Sequence, residues 1–268
     1  MRLDLYDPFT LAKLDTATKY PSIETYHKLG ERGRLLEELN HQWPDDGIVH
    51  VSEKIDGMNG RLIFLPGRNA PWIAGTRDQL VAASSDVIWD NAQGVAGALL
   101  GPNAPKPWML PNHILEDGYV FVIYFEVYGH KSTPHWNEYS PDGREPMIRL
   151  FDAQFFQQDW LQNFKSVEDV ARSRDSDGGI WFVKGRLEDV AKALNVQCVP
   201  DLWTGPSADL PKDVLGMDRF MYTLGRDTKA GVNGSGRSEG IVLRTTTRSI
   251  VAKARRQSYD KTLGDHRP

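Results

Sequence analysis

Four charged residues sit where a charge needs a physical reason: Lys54, Glu126, Glu239 and Lys253. Lys54 lies in "VSEKIDGMNGRLIF" (51–64), which reads as a strand, a sharp turn and a second strand, with the lysine ending the first. A lysine amine attacks only when neutral, and an unperturbed pKa of about 10.4 keeps it protonated at neutral pH. Burial and neighbouring cations lower such a pKa, which is how lysines become covalent nucleophiles. Gly57 and Gly60 would let the backbone turn tightly and approach a bulky ligand. The plain alternative is a surface hairpin with a solvated lysine.

Glu126 interrupts "YVFVIYFEVYG", a run whose apolar neighbours predict burial on both faces of a strand. An unpaired buried carboxylate costs several kcal/mol, so hydrogen-bond donors or a cation must face it. It either accepts from sugar hydroxyls in a cleft, points to solvent at a strand end, or pairs with a structural arginine. Glu239 follows the glycine-rich stretch "LGRDTKAGVNGSGRS" (224–238), which reads as a mobile loop, and it starts the strand "EGIVLR". A carboxylate fixed at a loop mouth suits Mg²⁺, which takes one or two carboxylates plus water and phosphate oxygens. The loop lacks the G-K-[ST] ending of a P-loop and precedes a strand rather than a helix.

"SIVAKARRQSYDKTL" reads as the C-terminal strand; Lys253 and Arg255 are two apart in it, so they project from one face. Residues 248–267 carry Arg248, Lys253, Arg255, Arg256, Lys261 and Arg267 against Asp260 and Asp265, the most basic stretch of the chain. That is either a solvated tail or a phosphate site. The whole chain has a net charge of −4, which gives no overall attraction to nucleic acid and leaves any polyanion to a local basic patch.

The elements that must position these residues read as α+β. Of 268 residues, 40% are hydrophobic and 25% charged, enough for a real core. Residues 10–40, with "GRLLEELNHQ", have roughly helical spacing, so 1–46 is expected to be an N-terminal helical segment ahead of a core at 47–268. "GIVHVSEKI", "GRLIFLP", "PWIAGT" and "MIRLFDAQFF" read as strands, with "PGRNA" as a turn. "GRLEDVAKALN" reads as a helix, followed by a Val-Pro break and "DLWTG". "EGIVLRTTTRSIVAKARR" reads as a hairpin. The expected architecture is an antiparallel, β-dominated core with helices outside it. The single Cys198 excludes an internal disulfide and a cysteine zinc cluster, which points to a reducing cytoplasm. No apolar run approaches the roughly 20 residues of a membrane helix, and "MRLDLYDPFT" is not a signal peptide.

Taken in order, these motifs resemble the covalent nucleotidyltransferases: ATP-dependent DNA and RNA ligases and mRNA-capping enzymes. "EKIDG" resembles their motif I, Thr76–Arg77 motif Ia, "FEVYG" motif III, "LFDAQFF" motif IIIa, "EGIVLR" motif IV and "VAKAR" motif V. "KYPSIETY" at Lys19–Tyr26, the Asn59 of "EKIDGMN" and Tyr259 are similar to features of RNA ligase 2-type enzymes. The resemblance implies a ligase-type fold of antiparallel sheets flanked by helices, with a nucleotide cleft between the sheets. It implies ATP and Mg²⁺ or Mn²⁺ as cofactors, and RNA with 5′-phosphate and 3′-OH ends as substrate.

It also implies a role for each matched position. Lys54 would take AMP from ATP, with Asp56 of the same motif counted among the catalytic residues. Glu53 would read the adenine edge and Phe151 would stack on the base. Asn59, Arg77 and Glu126 would hold ribose, Glu239 would position the metal, and Lys253 with Arg255 would neutralise the α-phosphate. Arg256 and Lys261 are expected to meet the phosphates of RNA.

Two features depart from the family's pattern. Motif V usually has two lysines, and here the second is Arg255, which keeps the charge but does not titrate. The chain also stops soon after motif V, so 1–268 is expected to be a single adenylyltransferase domain without an OB or other accessory domain; a partner protein would then supply end binding. The rival readings are a capping-type guanylyltransferase, a minimal DNA ligase, and a decayed ligase that only binds nucleotide or RNA.

Overall fold

A computed structural model describes residues 3–65, 72–83, 94–100, 105, 110, 118–140, 146–177, 179–231 and 236–264. The chain forms two compact units, each assembled from three separate segments. The first comprises Met1–Ser22, Gly57–Pro134 and Arg144–Cys198, and the second Ile23–Asp56, His135–Gly143 and Val199–Pro268.

The first unit is built on an antiparallel sheet of six strands. These are β5 (Met58–Phe64), β6 (Trp72–Thr76), β7 (Leu80–Ala83), β8 (Tyr119–Tyr128), β9 (Met147–Gln157) and β10 (Ile180–Trp181), in the order β10-β9-β8-β5-β6-β7. Both faces are covered. Leu62, Phe121, Ile123 and Phe125 pack with Val95 and Leu99 of α2 (Val95–Leu100) and Val190 of α4 (Lys184–Ala193). On the other face, Ile63, Val122 and Tyr124 pack with Leu14 of α1 (Pro8–Ala17) and Val170 of α3 (Val167–Asp177). This double burial is why β8 is an almost unbroken apolar run. The expected "PGRNA" turn lies outside the described residues.

The second unit holds a five-stranded sheet. Its strands are β1 (Glu24–Thr25), β4 (Ile48–Lys54), β11 (Asp201–Pro206), β12 (Gly240–Thr245) and β13 (Val251–Arg255), in the order β1-β13-β12-β4-β11. All neighbours are antiparallel except β1 with β13. One face is core: Val49, Val51, Ile241, Leu243, Ala252 and Ala254 pack with Met217 and Met221 of α5 (Val214–Thr223) and Tyr259 of α6 (Arg256–Leu263). The alternate positions carry His50, Ser52, Lys54, Arg244, Lys253 and Arg255, half-buried or exposed. Strand period alone therefore puts the basic residues of β4, β12 and β13 on one face.

Two expectations are corrected. "GRLLEELNHQ" is not helical: β2 (His27–Leu29) and β3 (Leu35–Leu39) form a small antiparallel sheet. Leu35, Leu36 and Leu39 fit a helical stripe, but Arg32 and Gly33 at positive φ turn the chain back, and Lys28 pairs with Glu38 across the strands at 2.5 Å. Tertiary pairing overrides local propensity here. The basic C-terminal segment is not one long strand either, because it becomes helix α6 after Arg255. Tyr259 of that helix is buried and bonds His27 Nδ1 through its hydroxyl at 2.7 Å, and burial pushes the His27 pKa down.

Arg61 carries a costly charge in the first unit, fully buried on β5 and paired to Asp15 of α1. Gly75, opposite on β6, makes room for it; a Cβ there would fall 2.6 Å from Arg61 Nε. Asp15→Ala should lower stability by about 3 kcal/mol in urea unfolding, because a buried guanidinium loses its counter-charge. Arg61→Met should cost much less, since it removes the charge together with its desolvation penalty. Equal losses in the two variants would contradict this account of the pair.

Candidate active site

The register of the second unit's sheet places Lys54, Gly240 and Arg255 in one row across β4, β12 and β13. The next row on the same face is Ser52, Val242 and Lys253. Lys54 and Arg255 are two strands apart, about 10 Å from the usual strand spacing. Gly240 leaves the middle of their row without a side chain, and a Cβ there would run into the Ala254 carbonyl. Glu239, one residue earlier, fills the gap. Its Oε2 accepts from Lys54 Nζ and its Oε1 from Arg255 Nε at 3.0 Å, with the carboxylate about one-fifth exposed. The Glu239 carbonyl accepts from Arg256 N at 3.0 Å, which fixes the strand end that carries it.

Asp56 is held in the same unit by residues 135–139. Its backbone N–H donates to Tyr139 Oη at 2.8 Å, and its Oδ2 pairs with His135 Nδ1 at 2.9 Å. Tyr139 is buried, which pushes the phenol pKa up and keeps the hydroxyl protonated. Residues 130–139 interleave basic and aromatic side chains, a pattern that gives no sign of this support for Asp56.

The first unit brings together two of the three residues expected to hold ribose, Asn59 and Glu126. Asn59, Glu126 and Arg149 lie in one row across β5, β8 and β9. Asn59 Oδ1 is buried and accepts no hydrogen bond from the described residues. Arg149, which sequence reading missed, donates to Tyr128 Oη at 3.1 Å and also bonds Gln197 Oε1. Alternation gives no sign of it, because a bulge interrupts the period of β9 just after it. Phe151 is the extra residue of a β-bulge in β9, and its ring meets Tyr20 edge-on at 4.9 Å. Arg77 is exposed just past the end of β6, with its guanidinium 3.4 Å from Ser22 Oγ.

Glu53 has a different setting from the one expected of an adenine reader. It shares the core face of β4 with Val49 and Val51, opposite Lys54, and is 2% exposed. Oε1 accepts from Thr228 Oγ1 and Oε2 from Lys229 N at 2.8 Å. Within the stretch read as a mobile loop, residues 225–230 and 236–238 are therefore tied in place. Thr228 N donates to Gly236 O at 2.7 Å and Ser238 N to Arg226 O at 3.0 Å.

Arg256 is also corrected. Its guanidinium donates to Met221 O at 3.2 Å, Gly225 O at 2.5 Å and Ser238 Oγ at 3.3 Å, so it braces the end of α5 rather than facing solvent. Lys261 is exposed on α6, and Arg267 lies outside the described residues.

Among the described residues, no group of three or more His, Cys, Asp or Glu side chains could hold a metal ion. The Glu239 carboxylate is the kind of oxygen donor a hard ion takes, but Lys54 and Arg255 engage both its oxygens, so an ion there would have to displace at least one of them. No helix among the described residues is long and apolar enough to cross a membrane.

A protein-family model described as RNA ligase matches residues 47–259. Among solved structures, a Naegleria gruberi RNA ligase mutant with ATP and Mn aligns at a TM-score of 0.52 and 13% identity, over 92% of this chain and 62% of that one. Naegleria gruberi RNA ligase with PPi aligns at 0.50 and 14% identity, over 92% and 64%. These likenesses are of fold, and this chain spans less than two thirds of either structure's length. Comparison with curated proteins returns no match.

Arg256→Ala should lower stability by about 1.5–3 kcal/mol in urea unfolding, the scale of hydrogen bonds to a charged group. A variant as stable as the parent would return Arg256 to the pool of free surface cations.

Proposed function

The chain belongs to the RNA ligase family, and from that premise we propose that it is an ATP-dependent RNA ligase working through a lysine–AMP intermediate on Lys54. One observation carries the reading: Lys54, Lys253 and Arg255 share one face of one sheet, with Glu239 bridging two of them. A nucleophilic amine beside fixed cations is what attack on a phosphate needs, because phosphoryl transfer is catalysed mainly by positioning and charge stabilisation.

Lys54 Nζ gives up a proton to solvent and attacks the α-phosphorus of ATP; a P–N bond forms and the bond to pyrophosphate breaks, with pyrophosphate leaving on the bonding electrons. An oxygen of an RNA 5′-phosphate then attacks that phosphorus, which breaks the P–N bond and leaves AMP on the RNA end. Finally the 3′-OH of the other end attacks the 5′-phosphate, and AMP leaves with the bonding electrons. Lys253 and Arg255 neutralise the phosphate oxygens in the first two steps. Asp56, tied to His135 and Tyr139, orients the turn that follows Lys54.

Asn59 and Glu126 accept ribose hydroxyls, with Arg77 beside the sugar, and Phe151 offers its ring to the base. Glu239 is the residue that would hold a divalent ion, Mg²⁺ or Mn²⁺, which would supply further charge neutralisation. Because the Glu239 carboxylate already serves Lys54 and Arg255, holding an ion and freeing the lysine are linked events. Lys261 remains a candidate for contact with RNA phosphates, and proteins that present RNA ends are candidate partners.

The test is sealing of paired substrates, RNA and DNA, each with a 5′-phosphate and a 3′-OH, with ATP or GTP. The expected result is sealing of RNA with ATP, abolished in Lys54→Ala. Labelling by GTP but not ATP would favour a capping enzyme, and equal sealing of DNA would overturn the RNA assignment. Glu239→Gln should raise the Mg²⁺ concentration that lysine adenylation needs and slow the step about 100-fold, the scale of losing one electrostatic stabiliser. An unchanged metal titration would make Glu239 a purely structural partner of the two cations.

A further inference from the structure

Position 53 is the third inward-facing residue of β4, after Val49 and Val51, and it holds a carboxylate where an apolar side chain would fit the core pattern. Buried carboxylates are retained only where donors are waiting for them. Both donors here come from one short segment: the Thr228 hydroxyl and the Lys229 backbone N–H. That hydroxyl in turn accepts from Ala230 N at 3.1 Å, so Thr228 and Glu53 together form the hub of residues 228–230.

We infer that Glu53 is a positioning residue: its carboxylate anchors residues 226–230 to the strand that carries Lys54, and through them it sets Glu239 against Lys54 and Arg255. The connection is short and continuous. Thr228 is bonded to Gly236, a bridge joins Asp227 to Arg237, and Ser238 N bonds Arg226 O. Glu239 comes next in the chain, and its carbonyl is fixed by Arg256 N. Neighbouring residues 53 and 54 thus act on opposite faces of one strand. Lys54 presents its amine on the polar face, while Glu53 holds from the core face the segment that brings Lys54 its carboxylate partner.

Strand parity also separates this role from base recognition. A side chain on the core face, 2% exposed and with both oxygens accepting, is poorly placed to read a base bound on the face of Lys54. Glu53 acts on adenylation through geometry, and nucleotide choice falls to other groups. The catalytic part of this inference rests on the lysine-adenylation reading; the anchoring part does not.

The test uses the full chain with Glu53→Ala, Glu53→Gln and, from the loop side, Thr228→Val. Adenylation is followed by intact mass with ATP and with GTP, and backbone order by amide hydrogen exchange. Glu53→Ala should lower the maximal adenylation rate by roughly 10- to 100-fold, the usual cost of losing a group that orients a reacting side chain, at unchanged apparent ATP affinity. The ratio of ATP to GTP labelling should not move, and exchange at 228–230 should accelerate. Glu53→Gln keeps an oxygen for Lys229 N–H and should recover most of the rate, while Thr228→Val should reproduce the faster exchange in a chain that retains Glu53. A changed ATP-to-GTP ratio with wild-type exchange at 228–230 would overturn the inference and make Glu53 a base reader. If the wild-type chain takes no AMP, the adenylation reading falls, and exchange in Glu53→Ala and Thr228→Val still decides whether the anchor exists.

Discussion

Glu239 serves two cations with one carboxylate, and the second unit is organised so that it can. Lys54 and Arg255 lie two strands apart on one face, and their like charges meet at one carboxylate that screens them from each other. A glycine between them removes the side chain that would otherwise fill the row, and the residue before that glycine supplies the counter-charge. An ordinary sheet thereby acquires a compact site of two positive groups and one negative group, with Lys253 on the next row. A nucleophilic lysine needs a partner it can leave, and a carboxylate shared with a second cation is such a partner.

The core face of the same sheet explains why this arrangement persists. Val49, Val51, Ile241, Leu243, Ala252 and Ala254 bury one side against α5 and α6, and a slip by one residue would expose all of them. The register that protects the core is the register that aligns Lys54, Gly240 and Arg255. Arg256 and Glu53 work at the margins of this core, one bracing the end of α5 and the other tying down residues 226–230. Both carry charge into partly or fully buried positions, and both find several donors or acceptors there.

Much of this was legible in the sequence because it rests on strand period. The two-residue spacing of Lys253 and Arg255, the apolar run around Glu126 and the hairpin at 240–255 all follow from alternation. What was not legible depends on contacts between residues distant in the chain. "GRLLEELNHQ" has helical spacing, and only pairing with His27–Leu29 makes it a strand. Arg256 looks like a free surface cation until α5 is folded beside it. Glu53 invited an adenine role by its place in the motif, although counting inward positions from Val49 would have put it in the core. Arg149 was missed because its importance comes from facing Glu126 across a strand pair.

The central claim is that Lys54 is the nucleophile of this shared site. The most direct measurement is to incubate the purified chain with ATP and Mg²⁺, digest it under conditions that preserve a phosphoramidate, and map any added AMP by peptide mass spectrometry. The account predicts a single AMP on the peptide bearing Lys54. AMP on any other residue, or none with either ATP or GTP, would contradict it.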